Sequence, residues 1–116
     1  MITVYHNPRC SKSREALALV EGSPAGRELQ VIEYLKTPPT LADLKGLHKL
    51  LGVPVREMIR SNEAEFEALG LADTALGDDA LLAAIAAHPK LLQRPIVVNG
   101  KKAVIARPSE RAREVL

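Results

Sequence analysis

The chain contains a single cysteine, Cys10, and the ionisable residues around it are basic: His6, Arg9, Lys12 and Arg14, with no acidic residue before Glu15. Thiolate rather than thiol is the nucleophilic form of cysteine, and neighbouring positive charge lowers the thiol pKa. A helix N-terminus adds to this effect, because its first N–H groups lack intrahelical partners and the dipole presents its positive end there. The competing reading is a buried, inert cysteine, the commonest fate of a free thiol. Arg, Ser and Lys on either side speak against burial, so Cys10 is read as a reactive thiolate.

Spacing limits what that thiolate can do. Cys10-Ser11-Lys12-Ser13 is C-x-x-S, so the resolving thiol of a C-x-x-C pair is absent. Any disulfide formed in turnover takes its second sulfur from another molecule, such as glutathione. A phosphatase-type loop places an arginine after five intervening residues, a position held here by Ala16. No phosphate-cradling glycine loop and no G-x-S-x-G elbow is present. His6, His48 and His88 are too dispersed for metal-ligand spacing, and one cysteine excludes a thiolate zinc site, so no metal and no bound cofactor are expected.

The elements that must position Cys10 are legible around it. Ile2 to Tyr5 suits a short strand, broken by His6-Asn7-Pro8-Arg9, where Pro8 lacks a ladder donor. From Ser11 a helix begins, with Ala16, Leu17 and Val20 on its apolar face, ended by Gly22-Ser23-Pro24-Ala25-Gly26. Leu29 to Leu35 reads as a second strand, completing a parallel β-α-β unit. Residues 40–92 then read as helical. Thr40 with Asp43 forms a capping box before a helix carrying Leu41, Leu44, Leu47 and Leu51. A short helix spans Val55 to Arg60, Asn62 with Glu65 caps another ending near Gly70, and Asp78 opens one running to about His88. Pro95 to Val98 and Lys101 to Ala106 form a hairpin around Asn99-Gly100, a pair suited to a type I′ turn. Pro108 and Ser109 start a last helix with Ala112, Val115 and Leu116 on one face.

The expectation is an α/β fold, β-α-β then a helical insertion then β-β-α, on one mixed four-stranded sheet. With 116 residues, 1–116 is expected as a single domain with its insertion at about 40–92. No basic leader precedes a long apolar stretch, and no apolar run approaches the ~18 residues of a membrane span. The chain is expected to be cytoplasmic, with no membrane contact. Its net charge of +2 is interspersed and aromatic residues are 3% of the chain, so nucleic-acid binding is not expected.

Tyr5-His6-Asn7-Pro8-Arg9-Cys10-Ser11-Lys12-Ser13-Arg14 resembles the opening of the glutaredoxin-like arsenate reductase (ArsC) family. The likeness continues at Ile59-Arg60, Leu69-Gly70-Leu71-Ala72, His88-Pro89, Arg94-Pro95-Ile96-Val97-Val98 and Arg107-Pro108-Ser109-Glu110, in the family's order. The resemblance implies a thioredoxin-like (glutaredoxin-like) fold and reduction of arsenate to arsenite. It makes Cys10 the catalytic thiolate, with His6 upstream helping to keep it ionised, and Arg60, Arg94 and Arg107 the oxyanion pocket. Glutathione is implied as co-substrate and glutaredoxin as the partner that resolves the adduct. Ser13 and Arg14 fall in the supporting loop, and Pro95 matches the cis proline that faces the cysteine in such folds. From composition alone Pro95 defaults to trans. The best-known members have Ala before the cysteine and Gly-Thr-Ser after it, and a C-terminal extension. With Arg9, Ser11-Lys12-Ser13 and an earlier end, this chain resembles a shorter subgroup marked by NPRCSKSR.

Read as isolated residues, these positions keep other options. Arg60 suits the C-terminal carbonyls of a short helix, while Arg94 and Arg107 suit solvated surface. His6 serves either the thiolate or the turn, and Ser13 either bonds the thiolate or faces solvent. Two other functions stay open: a monothiol glutathione-dependent oxidoreductase, which needs no arginine trio, and a regulatory protein resembling Spx that binds RNA polymerase.

Overall fold

Ile2, Val4 and His6 are buried while Thr3 and Tyr5 are half-buried, the two-residue period of a strand with one face deep in the core. The computed structural model describes residues 1–23 and 28–116. β1 (Ile2–His6) is followed by α1 (Ser11–Glu21), β2 (Leu29–Glu33), α2 (Leu41–Leu51), α3 (Ala64–Ala68), α4 (Asp78–Ala87), β3 (Ile96–Asn99) and β4 (Lys102–Ile105). Short 3₁₀ segments occupy Val55–Met58, Pro89–Leu91 and Ser109–Val115. The chain divides into two compact units: Met1–Thr37 with Arg94–Leu116, and Pro38–Gln93.

The first unit holds a four-stranded sheet in the order β2-β1-β3-β4. β1 pairs parallel to β2, and β3 pairs antiparallel to both β1 and β4, the mixed sheet that the β-α-β and β-β-α pattern predicts. Ile2 and Val4 from β1, Ala16 and Val20 from α1, Val97, Val104 and Ala106 from the hairpin, and Ala112 and Val115 from the last helical segment form its core. Burying each valine or isoleucine among them contributes about 1.5–3 kcal/mol of transfer free energy, and each alanine about 0.8 kcal/mol. This packing holds the end of β1 and the start of α1 in place, and Cys10 lies between them.

Several boundaries depart from the sequence expectation for identifiable reasons. β2 ends at Glu33 rather than Leu35, because its ladder partner β1 stops at His6, which pairs with Glu33. Lys36 and Thr37 then donate to the Glu33 carbonyl at 2.9 Å, closing a turn. α1 ends at Glu21, with Gly22 N–H donating to Ala18 O at 3.0 Å, while the expected stop at Pro24-Ala25-Gly26 lies outside the described residues. The hairpin loop is Gly100-Lys101, since Asn99 pairs with Lys102. Gly100 alone has positive φ (61°) there, the pattern of a type II′ turn rather than the expected type I′. Asn99 stays in the strand, and its Nδ2 donates to Val115 O at 2.6 Å. The last helix is 3₁₀, and Ser109, Ala112 and Val115 are buried at a spacing of three, the period of that helix. Leu116 is half-buried and packs against the same core.

The second unit is helical. Thr40 Oγ1 accepts from Asp43 N at 3.1 Å and Asp43 Oδ2 accepts from Thr40 N at 3.0 Å, the expected capping box of α2. Gly52 (φ 65°) closes the helix in the left-handed region that favours glycine. Val55–Met58 stops short of Arg60, because Ile59 turns extended and bridges antiparallel to Leu92. α3 starts at Ala64 with Glu63 as its N-cap residue and no side-chain capping bond, so Asn62 is not the cap. Leu44, Leu47, Met58, Leu81, Leu82, Ile85, Leu91 and Leu92 are buried within 3% of full enclosure.

Candidate active site

The turn between β1 and α1 is built by Asn7 and Pro8. Cys10 N–H donates to the Asn7 carbonyl at 3.0 Å, closing a four-residue turn with Asn at its first position and Pro at its second, where both are favoured. Asn7 Oδ1 also accepts from Arg9 N–H at 3.0 Å, an Asx-turn inside the same loop. The turn ends with Cys10 as the N-cap residue of α1, at φ −97° and ψ 121°. Arg14 N–H donates to Cys10 O at 3.0 Å as the helix begins. The Arg14 guanidinium reaches back to Pro8 O at 2.8 Å and fastens the turn from outside.

Cys10 is half-buried. As a thiol it closes no N-cap hydrogen bond, but as a thiolate it is well served. Burial alone pushes the Cys10 thiol up. The backbone N–H of Ser13, the Arg94 guanidinium through both hydrogen bonding and charge, and the backbone N–H of Lys12 outweigh it and hold the thiol below its ordinary value. Lys12 and Ser13 are the second and third residues of α1, the positions whose N–H groups face an N-cap side chain.

Ser13 contributes in a way neither sequence option described. Its side chain is fully buried, and its Oγ lies 2.8 Å from His6 Nδ1 and accepts from Asn7 N–H at 3.0 Å. Only its backbone N–H serves the thiolate. His6 is 6% exposed, and burial, opposed by Glu33 and assisted by Arg14, lowers its pKa. Its imidazole is accordingly neutral at neutral pH, and its link to Cys10 runs through Ser13.

Arg94 and Pro95 lie just before β3, and the Arg94-Pro95 peptide is cis, as the family resemblance implies. The Arg94 Nε is buried with no hydrogen-bond acceptor. Arg107 is exposed, and its Nη1 donates to Arg94 O at 2.9 Å, so the two arginines are tied together beside the sheet. Arg107-Pro108 is also cis, which no local sequence signal announces. The structure thus gathers Cys10, His6, Ser13, Arg14, Arg94, Pro95 and Arg107 in the sheet-bearing unit. Arg60 belongs to the helical unit, where its N–H donates to Leu91 O at 2.8 Å. Its Nε lies 3.3 Å from Glu63 Oε1, with both side chains largely buried; this ion pair replaces the helix-carbonyl contact that an isolated arginine there suggests.

Sequence reading passed over Asn7, although Asn-Pro is a turn-initiating pair. It also passed over Glu15, whose carboxylate accepts from Ser109 Oγ at 2.9 Å and lies 3.7 Å from Lys12 Nζ; a pair 94 residues apart leaves no local trace. Outside the turn, a cleft of about 200 Å³ is bordered by His6 to Arg9 and by Glu33, Leu35 and Lys36. Among the described residues, no three His, Cys, Asp or Glu side chains converge as a metal ion would require, and no helix is long and apolar enough to cross a membrane.

Residues 5–115 match the model of the ArsC family. A protein named arsenate reductase from Neisseria meningitidis serogroup B is 47% identical over 116 residues, covering 99% of this chain and 97% of the relative. The uncharacterized protein YfgD of Escherichia coli K12 is 46% identical, covering 99% of this chain and 96% of that one. The solved structure of an arsenate reductase from Vibrio cholerae superposes with a TM-score of 0.93 at 50% identity, covering 99% of this chain and 97% of its own. With a full-length match to the family model and relatives of this similarity, the chain belongs to the ArsC family.

Proposed function

We propose that this chain reduces arsenate to arsenite at Cys10. The thiolate attacks arsenic(V), an As–O bond breaks, and the oxygen leaves as water after protonation. Glutathione supplies the second sulfur. Arsenic takes up an electron pair and leaves as arsenite, and the two thiols end as one disulfide between Cys10 and glutathione. Glutaredoxin then returns Cys10 to its reduced form. The chain has one cysteine, so this second sulfur must come from outside.

Arg94 and Arg107, tied together in the sheet-bearing unit, are assigned to the oxyanion. A guanidinium stays charged and offers forked donors that match tetrahedral oxygens better than an ammonium does. His6, Ser13, Arg14 and Pro95 are assigned to shaping the loop that carries the nucleophile. No resident cofactor is required, because the electrons come from thiols. The cytoplasm is the proposed compartment, where a lone reactive thiol is kept reduced.

One observation carries the assignment: Arg94 both lowers the Cys10 pKa and keeps a buried Nε donor without an acceptor. Buried donors are nearly always paired, and an oxyanion oxygen drawn to the nucleophile would pair this one. The arsenate reductases among the relatives, at 47% and 50% identity, support arsenic as the central atom. The test is arsenate-dependent NADPH consumption coupled through glutathione reductase and glutaredoxin. Wild type is expected to consume NADPH in proportion to arsenate, and Cys10→Ser only at the level of the protein-free control. Turnover of a glutathione mixed disulfide with no response to arsenate would replace this function with that of a monothiol oxidoreductase.

A further inference from the structure

We propose that Asn7 is a positioning residue for the Cys10 thiolate: its side-chain carbonyl holds the Asn7–Cys10 turn that sets the sulfur over the first turn of α1. This rests on Cys10 being the reactive thiolate. Asn7 is 9% exposed and meets the site from three directions. Its N–H donates to Ser13 Oγ, its C=O accepts from Cys10 N–H, and its Oδ1 accepts from Arg9 N–H, each at 3.0 Å. The first ties β1 to α1 and the second places the Cys10 backbone. Any residue at position 7 supplies those two bonds if its backbone is correctly set.

The Oδ1 bond is the one that depends on the side chain. An Asx-turn mimics a backbone turn and orders the loop before the helix starts. Without it, the loop from Asn7 to Cys10 keeps the Cys10 N–H bond to Asn7 C=O, the ring of Pro8 and the exposed Arg14 guanidinium on Pro8 O, but the Arg9 N–H loses its anchor inside the turn. The thiolate is stabilised by N–H groups of Lys12 and Ser13 that are fixed in α1, so any drift of Cys10 away from its N-cap position weakens that stabilisation. The charged groups around this turn are Arg9 within it, Lys12 and Arg14 from α1, Glu33 from the end of β2 with Lys36 just after it, and Arg94 from the segment before β3. The Glu15 carboxylate is taken by Lys12 and Ser109, and His6 is neutral.

The test is the pH profile of Cys10 alkylation by iodoacetamide in the full chain, which needs no arsenate. A negative result here therefore leaves arsenate reduction standing, and loss of arsenate activity leaves this proposal standing. Asn7→Ala is expected to raise the alkylation midpoint by about 0.5–1 pH unit, the worth of one hydrogen bond expressed as a pKa shift. Asn7→Ser keeps a hydroxyl acceptor for the same turn without adding charge, and its midpoint should stay within ~0.3 unit of wild type. If Asn7→Ala does not fold, Asn7→Ser decides alone. An unchanged midpoint in folded Asn7→Ala overturns the proposal, and so does an Asn7→Ser midpoint raised by about 0.5 unit or more.

Discussion

Replacing Arg94 by alanine removes both a hydrogen-bond donor and a positive charge from Cys10. A hydrogen bond to a charged group contributes about 1.5–3 kcal/mol, and 1.36 kcal/mol corresponds to one pKa unit, which sets a range of about one to two units. Cys10 is half-buried, so solvent screening favours the lower end. Arg94→Ala is therefore expected to raise the Cys10 pKa by about one unit, and to cut the thiolate fraction at neutral pH several-fold. Arg94→Lys retains charge but loses the planar fork, and should recover about half of the shift. The assay is the rate of iodoacetamide alkylation between pH 5 and 10, with circular dichroism to show that each variant is folded. A folded Arg94→Ala protein whose midpoint moves by less than ~0.2 unit would refute the reasoning, because the residue would then not act on the sulfur.

Other outcomes follow from the same geometry. Ser13→Ala leaves the buried Asn7 N–H and His6 Nδ1 without their shared partner; urea denaturation should show a loss of about 1–3 kcal/mol. Thr40→Ala removes half of the α2 capping box, and should cost about 1 kcal/mol of stability while leaving the Cys10 alkylation midpoint in place. The buried His6 has a lowered pKa, so on acidification the unfolded chain takes up a proton before the folded one does. Its contribution is complete above pH ~6.5 and is lost as pH falls toward the folded value. Urea midpoints at pH 8 and pH 5 should accordingly differ less in His6→Asn than in wild type, and an equal difference would remove His6 from the explanation.

What the sequence revealed follows how local each determinant is. The Thr40–Asp43 box is set by two residues within one turn of each other, and it reads correctly. Cys10 at a helix start was legible because Pro8, the basic cluster and the α1 periodicity all fall within ten residues. The hairpin turn shifted by one residue because Asn99 is recruited by the Val115 carbonyl, a partner that only the folded chain supplies. β2 stopped early for a similar reason: its length is set by β1, not by its own β-rich composition. In the site, the type of each residue suggested its chemistry but not its route. Ser13 acts on the thiolate through its backbone, and its hydroxyl serves His6 and Asn7 instead. Read in isolation Arg60 suits a helix end, yet Ile59 leaves the helix to pair with Leu92 and the Arg60 Nε lies beside Glu63.

The central claim is that arsenic is reduced at the Cys10 sulfur with a second thiol from outside. Its most direct measurement is arsenic speciation by chromatography after incubation with arsenate, glutathione and glutaredoxin, for wild type and Cys10→Ser side by side. Arsenite should accumulate catalytically with wild type and remain at the protein-free background with Cys10→Ser. Arsenite formed equally by both proteins, or by neither above background, would contradict the account.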